Sequence, residues 1–168
     1  METVEHLETG ENRCRVLIVD DQEPMRLLLA HYVSEELDLH AEIDLAGTCE
    51  EALRLADQNV YDVILLDLLM PGIGGFEVLK SIRAFNSVNR STPVIVVSIL
   101  VTSLAGEGAM AYDHAVELGA DAFIKKPVGR SALIAAIKEQ LRAKELREKE
   151  PRDKELREKE PREKEPRE

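Results

Sequence analysis

Three acids and one lysine stand at the ends of apolar runs, where a fold would place chemistry. Asp20 and Asp21 close the run VLIVDD, Asp67 closes VILLD, and Lys126 follows AFIK in AFIKKPV. Burying a single unpaired carboxylate costs several kcal/mol, so two in succession call for a cation or for a rim open to water. Three carboxylates converging on one rim can hold a divalent cation; Mg²⁺ takes carboxylates and waters in an octahedral shell and often binds phosphoryl oxygens as well. The chemistry that follows is phosphoryl transfer, in which a carboxylate is the nucleophile. Asp67 is the candidate, because the loop LLMPGIGG after it can expose it to a donor. Lys126 would offset the charge of the phosphoryl oxygens, and Ser98, at the end of TPVIVVS, would donate a hydrogen bond to one of them. Taken singly, each has an ordinary reading. Asp21 can cap a helix opening at Pro24, Asp67 can be a strand-end acid, Lys126 a solvated lysine and Ser98 a common strand-end hydroxyl. It is the combination that argues for a site.

Such a site needs strands that end together. Continuous aliphatic runs occur at 15–19, 61–66 and 93–98, with shorter candidates at 41–45 and 122–125. Unalternating runs suit strands covered on both faces. Helix-like segments lie between them, at 24–37, from the Thr48/Glu51 capping box to about 57, at 75–85, at 106–118 and from 130 onward. Five strands alternating with five helices predict an α/β, doubly wound parallel sheet, of order 2-1-3-4-5, whose ligands sit outside the carboxyl ends of the strands. That order makes strands one and three neighbours and brings the three acids to one rim.

Charge is unevenly spread. The chain of 168 residues carries a net charge of −11, yet residues 143–168 hold ten Lys/Arg and ten Asp/Glu, so the acidity belongs to the part before them. An acidic folded part repels phosphate backbones, which argues against direct nucleic-acid binding and for protein or cation partners. The last segment repeats KELREKEPR at 144–152 and 154–162, interrupted by Pro151, Pro161 and Pro166. It has almost nothing to bury, so helix is expected to about residue 150 and disorder beyond. The expected organisation is a flexible segment 1–13, a domain 14–142 and a charged tail 143–168. Cys14 and Cys49 form no CxxC pair and suggest reduced thiols. The polar N-terminus and the absence of a long apolar run place the protein in the cytoplasm, off the membrane.

VLIVDD, LLDLLMPGIGGFEVL, TPVIVVS and GADAFIKKP, in that order, resemble the response regulator receiver domain of two-component signalling, over about residues 15–141. The resemblance implies a flavodoxin-like fold and a phosphoacceptor, Asp67, served by a histidine kinase or phosphotransfer protein, with the output through a downstream protein target. It implies Mg²⁺ held by Asp20, Asp21, Asp67 and the backbone carbonyl of Leu69. It further implies a switch pair, Ser98 and Phe123, and a cis proline after Lys126. On that reading the chain is a stand-alone receiver, which assists its own phosphorylation and dephosphorylation without being an enzyme on other substrates. Two other readings are a phosphorylation-independent scaffold and an aspartyl-phosphate phosphatase; the latter usually carries DxD, whereas Asp20 and Asp21 are adjacent. This chain departs from the family pattern at Leu69, Ile99 and Gly74, and ILVTSLAGEG lengthens the stretch before the fourth helix, leaving Thr102 as an alternative to Ser98.

Overall fold

A computed structural model of the chain describes residues 13–36, 41–72, 74–99 and 107–159. Strands β1 (Arg15–Val19), β2 (Glu42–Ala46), β3 (Val63–Leu66), β4 (Val94–Ser98) and β5 (Ala122–Lys125) alternate with helices α1 (Glu23–Glu36), α2 (Cys49–Gln58), α3 (Gly75–Arg83), α4 (Glu107–Glu117) and α5 (Arg130–Lys159). All pairings are parallel, in the order β2-β1-β3-β4-β5. This is the doubly wound, flavodoxin-like α/β sheet expected from the sequence.

The apolar runs are strands because both sides of each are buried. Leu17, Val19, Ile64, Leu66, Val94 and Val96 face one core, with α2, α3 and Ala115 of α4. Val16, Ile18, Val63, Leu65, Ile95 and Val97 face the other, with Leu29 and Val33 of α1 and Leu133 and Ile137 of α5. Period-two alternation therefore carries no polar face here. Each buried aliphatic side chain contributes about 1.5–3 kcal/mol relative to exposure, and the three central strands supply most of them.

Local signals fix the helix starts that frame the rim. The amide of Glu51 donates to the Thr48 hydroxyl at 3.1 Å, while the Glu51 carboxylate reaches back to the Gly47 amide at 3.0 Å, one residue before the cap. At Gly75 a Cβ would collide with the Asp67 carbonyl and the Leu68 Cα, so only glycine lets α3 begin this close to the end of β3.

Several boundaries shift by one or two residues from expectation, and the start of β3 and the end of α5 are the two differences with a local physical reason. β3 begins at Val63 rather than Tyr61, because the Tyr61 amide donates to the Asn89 side chain at 2.8 Å instead of entering a ladder. Helix α5 runs to Lys159, past Pro151, where 150 was expected. The physical reason is composition: Lys, Glu, Arg and Leu are strong helix formers with opposite charges four apart, set against the cost of about 3 kcal/mol of one interior proline. The expectations for residues 1–12, 160–168, the lengthened stretch at 100–106 and Thr102 lie outside the described residues. Among the described residues no helix is long and apolar enough to cross a membrane.

Candidate functional site

Parallel register sets the rim. Val19 of β1 is level with Leu66 of β3, so the next residues, Asp20 and Asp67, leave neighbouring strands at the same height. The Asp67 amide still donates to the Val19 carbonyl at 2.9 Å, and the Asp20 amide to the Ala46 carbonyl at 3.1 Å, extending the ladders by one residue. Asp20, Asp21 and Asp67 each offer a carboxylate oxygen within 4.8 Å of the others. Asp20 and Asp67 are buried; Asp21 is exposed.

Lys126 arrives from the end of β5. Its Nζ donates to Asp20 Oδ2 at 2.6 Å and to Asp67 Oδ2 at 2.8 Å. Burial alone would lower the Lys126 pKa, but the hydrogen bonds and charges of Asp20 and Asp67 outweigh it and hold the ammonium above its ordinary value. The other two oxygens are held by backbone: Asp20 Oδ1 accepts the Gln22 amide at 2.9 Å and Asp67 Oδ1 the Leu69 amide at 3.0 Å. The turn at the start of α1 is therefore made by Asp20, and among the described residues no such bond supports Asp21 as the cap.

Three carboxylates against one ammonium leave a surplus of negative charge at a rim with an exposed member. Hard oxygen donors in that excess suit a small divalent cation that keeps part of its water shell. The donor set thus fits Mg²⁺ on Asp20, Asp21 and Asp67.

The remaining sequence candidates sit around this centre. Ser98 is fully buried at the end of β4, and its carbonyl accepts the Lys126 amide at 3.2 Å. The peptide between Lys126 and Pro127 is cis. Leu69 and Ile99, the residues following on from β3 and β4, are 43% and 57% exposed. Phe123, on β5, is half-buried, its ring centroid 4.3 Å from that of the exposed Tyr112 on α4. Tyr112 and Arg26 escaped the sequence reading. Tyr112 carries no local signal; Arg26 has one in retrospect, since it stands in the first turns of the helix that opens just past the acid pair.

The comparisons with known proteins agree with this geometry. Residues 16–138 match the family model described as the response regulator receiver domain. The chain is 34% identical over 131 residues to the transcriptional regulatory protein ResD of Bacillus subtilis, covering 78% of this chain and 49% of ResD. It is 37% identical over 123 residues to a protein-glutamate methylesterase/protein-glutamine glutaminase of Caldanaerobacter subterraneus, covering 73% of this chain and 31% of that protein. It thus spans about half or less of these curated relatives. Among solved structures, a CheY-like receiver domain from Methanospirillum hungatei superposes with a TM-score of 0.68 at 26% identity, over 80% of this chain and 98% of that one. The chemotaxis protein CheY4 of Vibrio cholerae does so with a TM-score of 0.65 at 26% identity, over 76% and 98%. The chain belongs to the response regulator receiver domain family of two-component systems.

Proposed function

We propose that the chain is a phosphorylation-dependent signalling module in which Asp67 accepts a phosphoryl group from the phosphohistidine of a kinase or phosphotransfer protein. The observation that carries this is the placement of Lys126 Nζ between Asp20 and Asp67, at 2.6 and 2.8 Å, beside the exposed Asp21. In the transfer a carboxylate oxygen of Asp67 bonds to phosphorus as the P–N bond to the donor imidazole breaks, and the imidazole leaves with the electron pair. Lys126 is already at the oxygen pair where the charge of the phosphoryl group would arrive, so little reorganisation is needed. Asp20, Asp21, Asp67 and the Leu69 carbonyl are the residues that would hold Mg²⁺, which when bound supplies charge neutralisation and orientation for the in-line displacement.

Ser98 and Phe123 form the switch on this reading. A phosphoryl group adds about −1.5 to −2 charge and three acceptor oxygens, which attract the Ser98 hydroxyl. Movement of Ser98 toward the phosphoryl group leaves space into which Phe123 turns from its place beside Tyr112, altering the α4–β5 face offered to a downstream protein. Leu69 and Ile99 flank the acceptor with apolar side chains that cannot orient a hydrolytic water, so the phosphoryl group is lost slowly. The module works in the cytoplasm, where such kinases deliver phosphoryl groups.

Intact-protein mass after incubation with Mg²⁺ and a small acyl phosphate tests the reading. The expected result is one phosphoryl adduct on the wild type and none on Asp67→Asn, with adduct lifetime shortened in Leu69→Asn. Adduct on both proteins, or on neither even with a histidine kinase as donor, overturns it.

A further inference from the structure

Asp20 and Asp21 share one peptide plane, because the Asp20 carbonyl and the Asp21 amide belong to a single rigid unit. Asp20 is held at four points. Its amide donates to the Ala46 carbonyl, its two carboxylate oxygens accept the Gln22 amide and Lys126, and its carbonyl accepts Arg26 Nη1 at 2.7 Å. Of these, the Arg26 bond alone acts on the plane shared with Asp21. The Asp21 carboxylate has no hydrogen bond of its own among the described residues, so the peptide plane is what aims it.

The place of Arg26 is made by a glycine on another element. A Cβ at Gly47, just after β2, would lie 2.9 Å from Arg26 Nη1 and 3.2 Å from its Cζ. Gly47 is not among the positive-φ glycines, which are Gly72, Gly74 and Gly119, so its backbone conformation does not demand glycine. What it provides is room, a slot into which the guanidinium fits on its way to the Asp20 carbonyl.

We infer that Arg26, seated against Gly47, is a positioning residue for the cation site: by clamping the Asp20 carbonyl it sets the direction from which Asp21 enters the acid trio. This rests on the Mg²⁺-dependent reading of the site. The clamp is distinguishable from a charge effect by sign. Were Arg26 only a nearby positive charge, its removal would make the trio more negative and tighten cation binding. As a clamp, its removal lets the Asp20–Asp21 peptide rotate, and binding weakens although the site becomes more acidic.

The test uses the full chain as wild type, Arg26→Ala, Gly47→Ala and the double variant, with Mg²⁺ titrated by calorimetry and the Asp21 amide followed by NMR before Mg²⁺ is added. Both single variants are expected to bind Mg²⁺ roughly fivefold to tenfold more weakly, about the net worth of one ordinary hydrogen bond. The double variant is expected to be no weaker than Arg26→Ala, because both changes remove the same contact. The Asp21 amide should be exchange-broadened in all three variants and sharp in the wild type. Unchanged or tighter Mg²⁺ binding in Arg26→Ala, full additivity in the double variant, or an Asp21 amide as sharp as the wild type's would each overturn the clamp. If the wild type itself bound no Mg²⁺, the metal reading would fall, and the Asp21 amide in the metal-free variants would still decide the clamp. Melting curves of the four proteins confirm that each is folded.

Discussion

The two ends of the sheet both bury polar side chains, and they handle them differently. At the N-terminal end Asn89 is fully buried and fully engaged: it accepts the Tyr61 amide and the Thr92 hydroxyl and donates to the carbonyls of Ala56 and Asn59, both at 2.7 Å. Nearby, Asp44 takes the Arg15 guanidinium and the Tyr61 hydroxyl, and Arg83 ties together Gly119, Thr92 and Asp121. Donors and acceptors there are matched, and the contacts join loops that would otherwise part. At the C-terminal rim the buried oxygens are matched too, but the charges are not: three acids face one lysine, and Asp21 carries the surplus outward. A closed network holds a fold; one with charge to spare is available to bind.

If that contrast holds, a cut at the N-terminal end should cost stability and spare the site. Asn89→Ala strands the Tyr61 amide and two carbonyls inside the protein, each missing partner costing on the order of 1 kcal/mol or more. The expected loss is about 3 kcal/mol in denaturant unfolding, with Mg²⁺ affinity of the folded protein unchanged. A parallel drop in affinity would show the two ends to be coupled and sink the division of labour.

The next effect is one of pH. Burial first, and then the charge of Asp62, against the opposing charge of Lys144, push the Cys14 thiol up from 9.0 to about 11. Below about 9 the thiol is protonated whether the chain is folded or not, and its contribution to stability is complete. As pH rises from about 9 to about 11 the unfolded chain gains by ionising while the fold does not, so stability falls, by less than about 3 kcal/mol. Unfolding measured at pH 8, 9, 10 and 11 should show this slope in the wild type and a shallower one in Cys14→Ala. Equal slopes would assign the alkaline loss to other groups whose pKa is raised, the buried Cys49 thiol, Tyr61 and Lys126 among them.

The same contrast explains what the sequence could tell. The rim was legible because its residues follow apolar runs directly: VLIVDD and VILLD name both strand and acid, and parallel order then brings Asp20, Asp21 and Asp67 together. The strand-end positions of Ser98 and Lys126 were legible in the same way. The N-terminal network was not, since Asn89 and Arg83 sit in or beside a turn and act through backbone carbonyls of segments far away in the chain. No residue type at those carbonyls advertises the contact. Arg26 was missed for a related reason: its target is a carbonyl, and its slot is the missing side chain of Gly47. The end of α5 was not legible because Pro151 signals a stop while the charge pairs on both sides of it favour helix.

At the rim the sign of a stability change should reverse. Among the described residues the Asp21 side chain makes no hydrogen bond that would be lost, and it sits among like charges, so Asp21→Asn should stabilise the metal-free protein by roughly 0.5–1 kcal/mol. It should also remove the rise in melting temperature that Mg²⁺ gives the wild type, since a ligand stabilises only the state it binds. Destabilisation by Asp21→Asn would mean that the acid has a structural partner, and the surplus-charge account of the rim would go.

The smallest effect belongs to a contact that looks like an anchor. Lys144 Nζ lies 3.0 Å from Asp62 Oδ1 and 3.5 Å from the Tyr61 carbonyl, just where α5 leaves the domain. Yet Asp62 keeps its other oxygen on the Arg15 amide at 2.8 Å, and α5 is already fixed by Leu133, Ile134 and Ile137 in the core. A partly exposed pair of this kind contributes no more than about 0.5 kcal/mol, because solvent screens the charge and ordering the lysine chain has its own entropic cost. Lys144→Gln should therefore lower stability by less than that in denaturant unfolding. A loss of 2 kcal/mol would show that the helix is held from its charged end rather than from its apolar stripe, and that Lys144 is a needed member of the network that closes the N-terminal end.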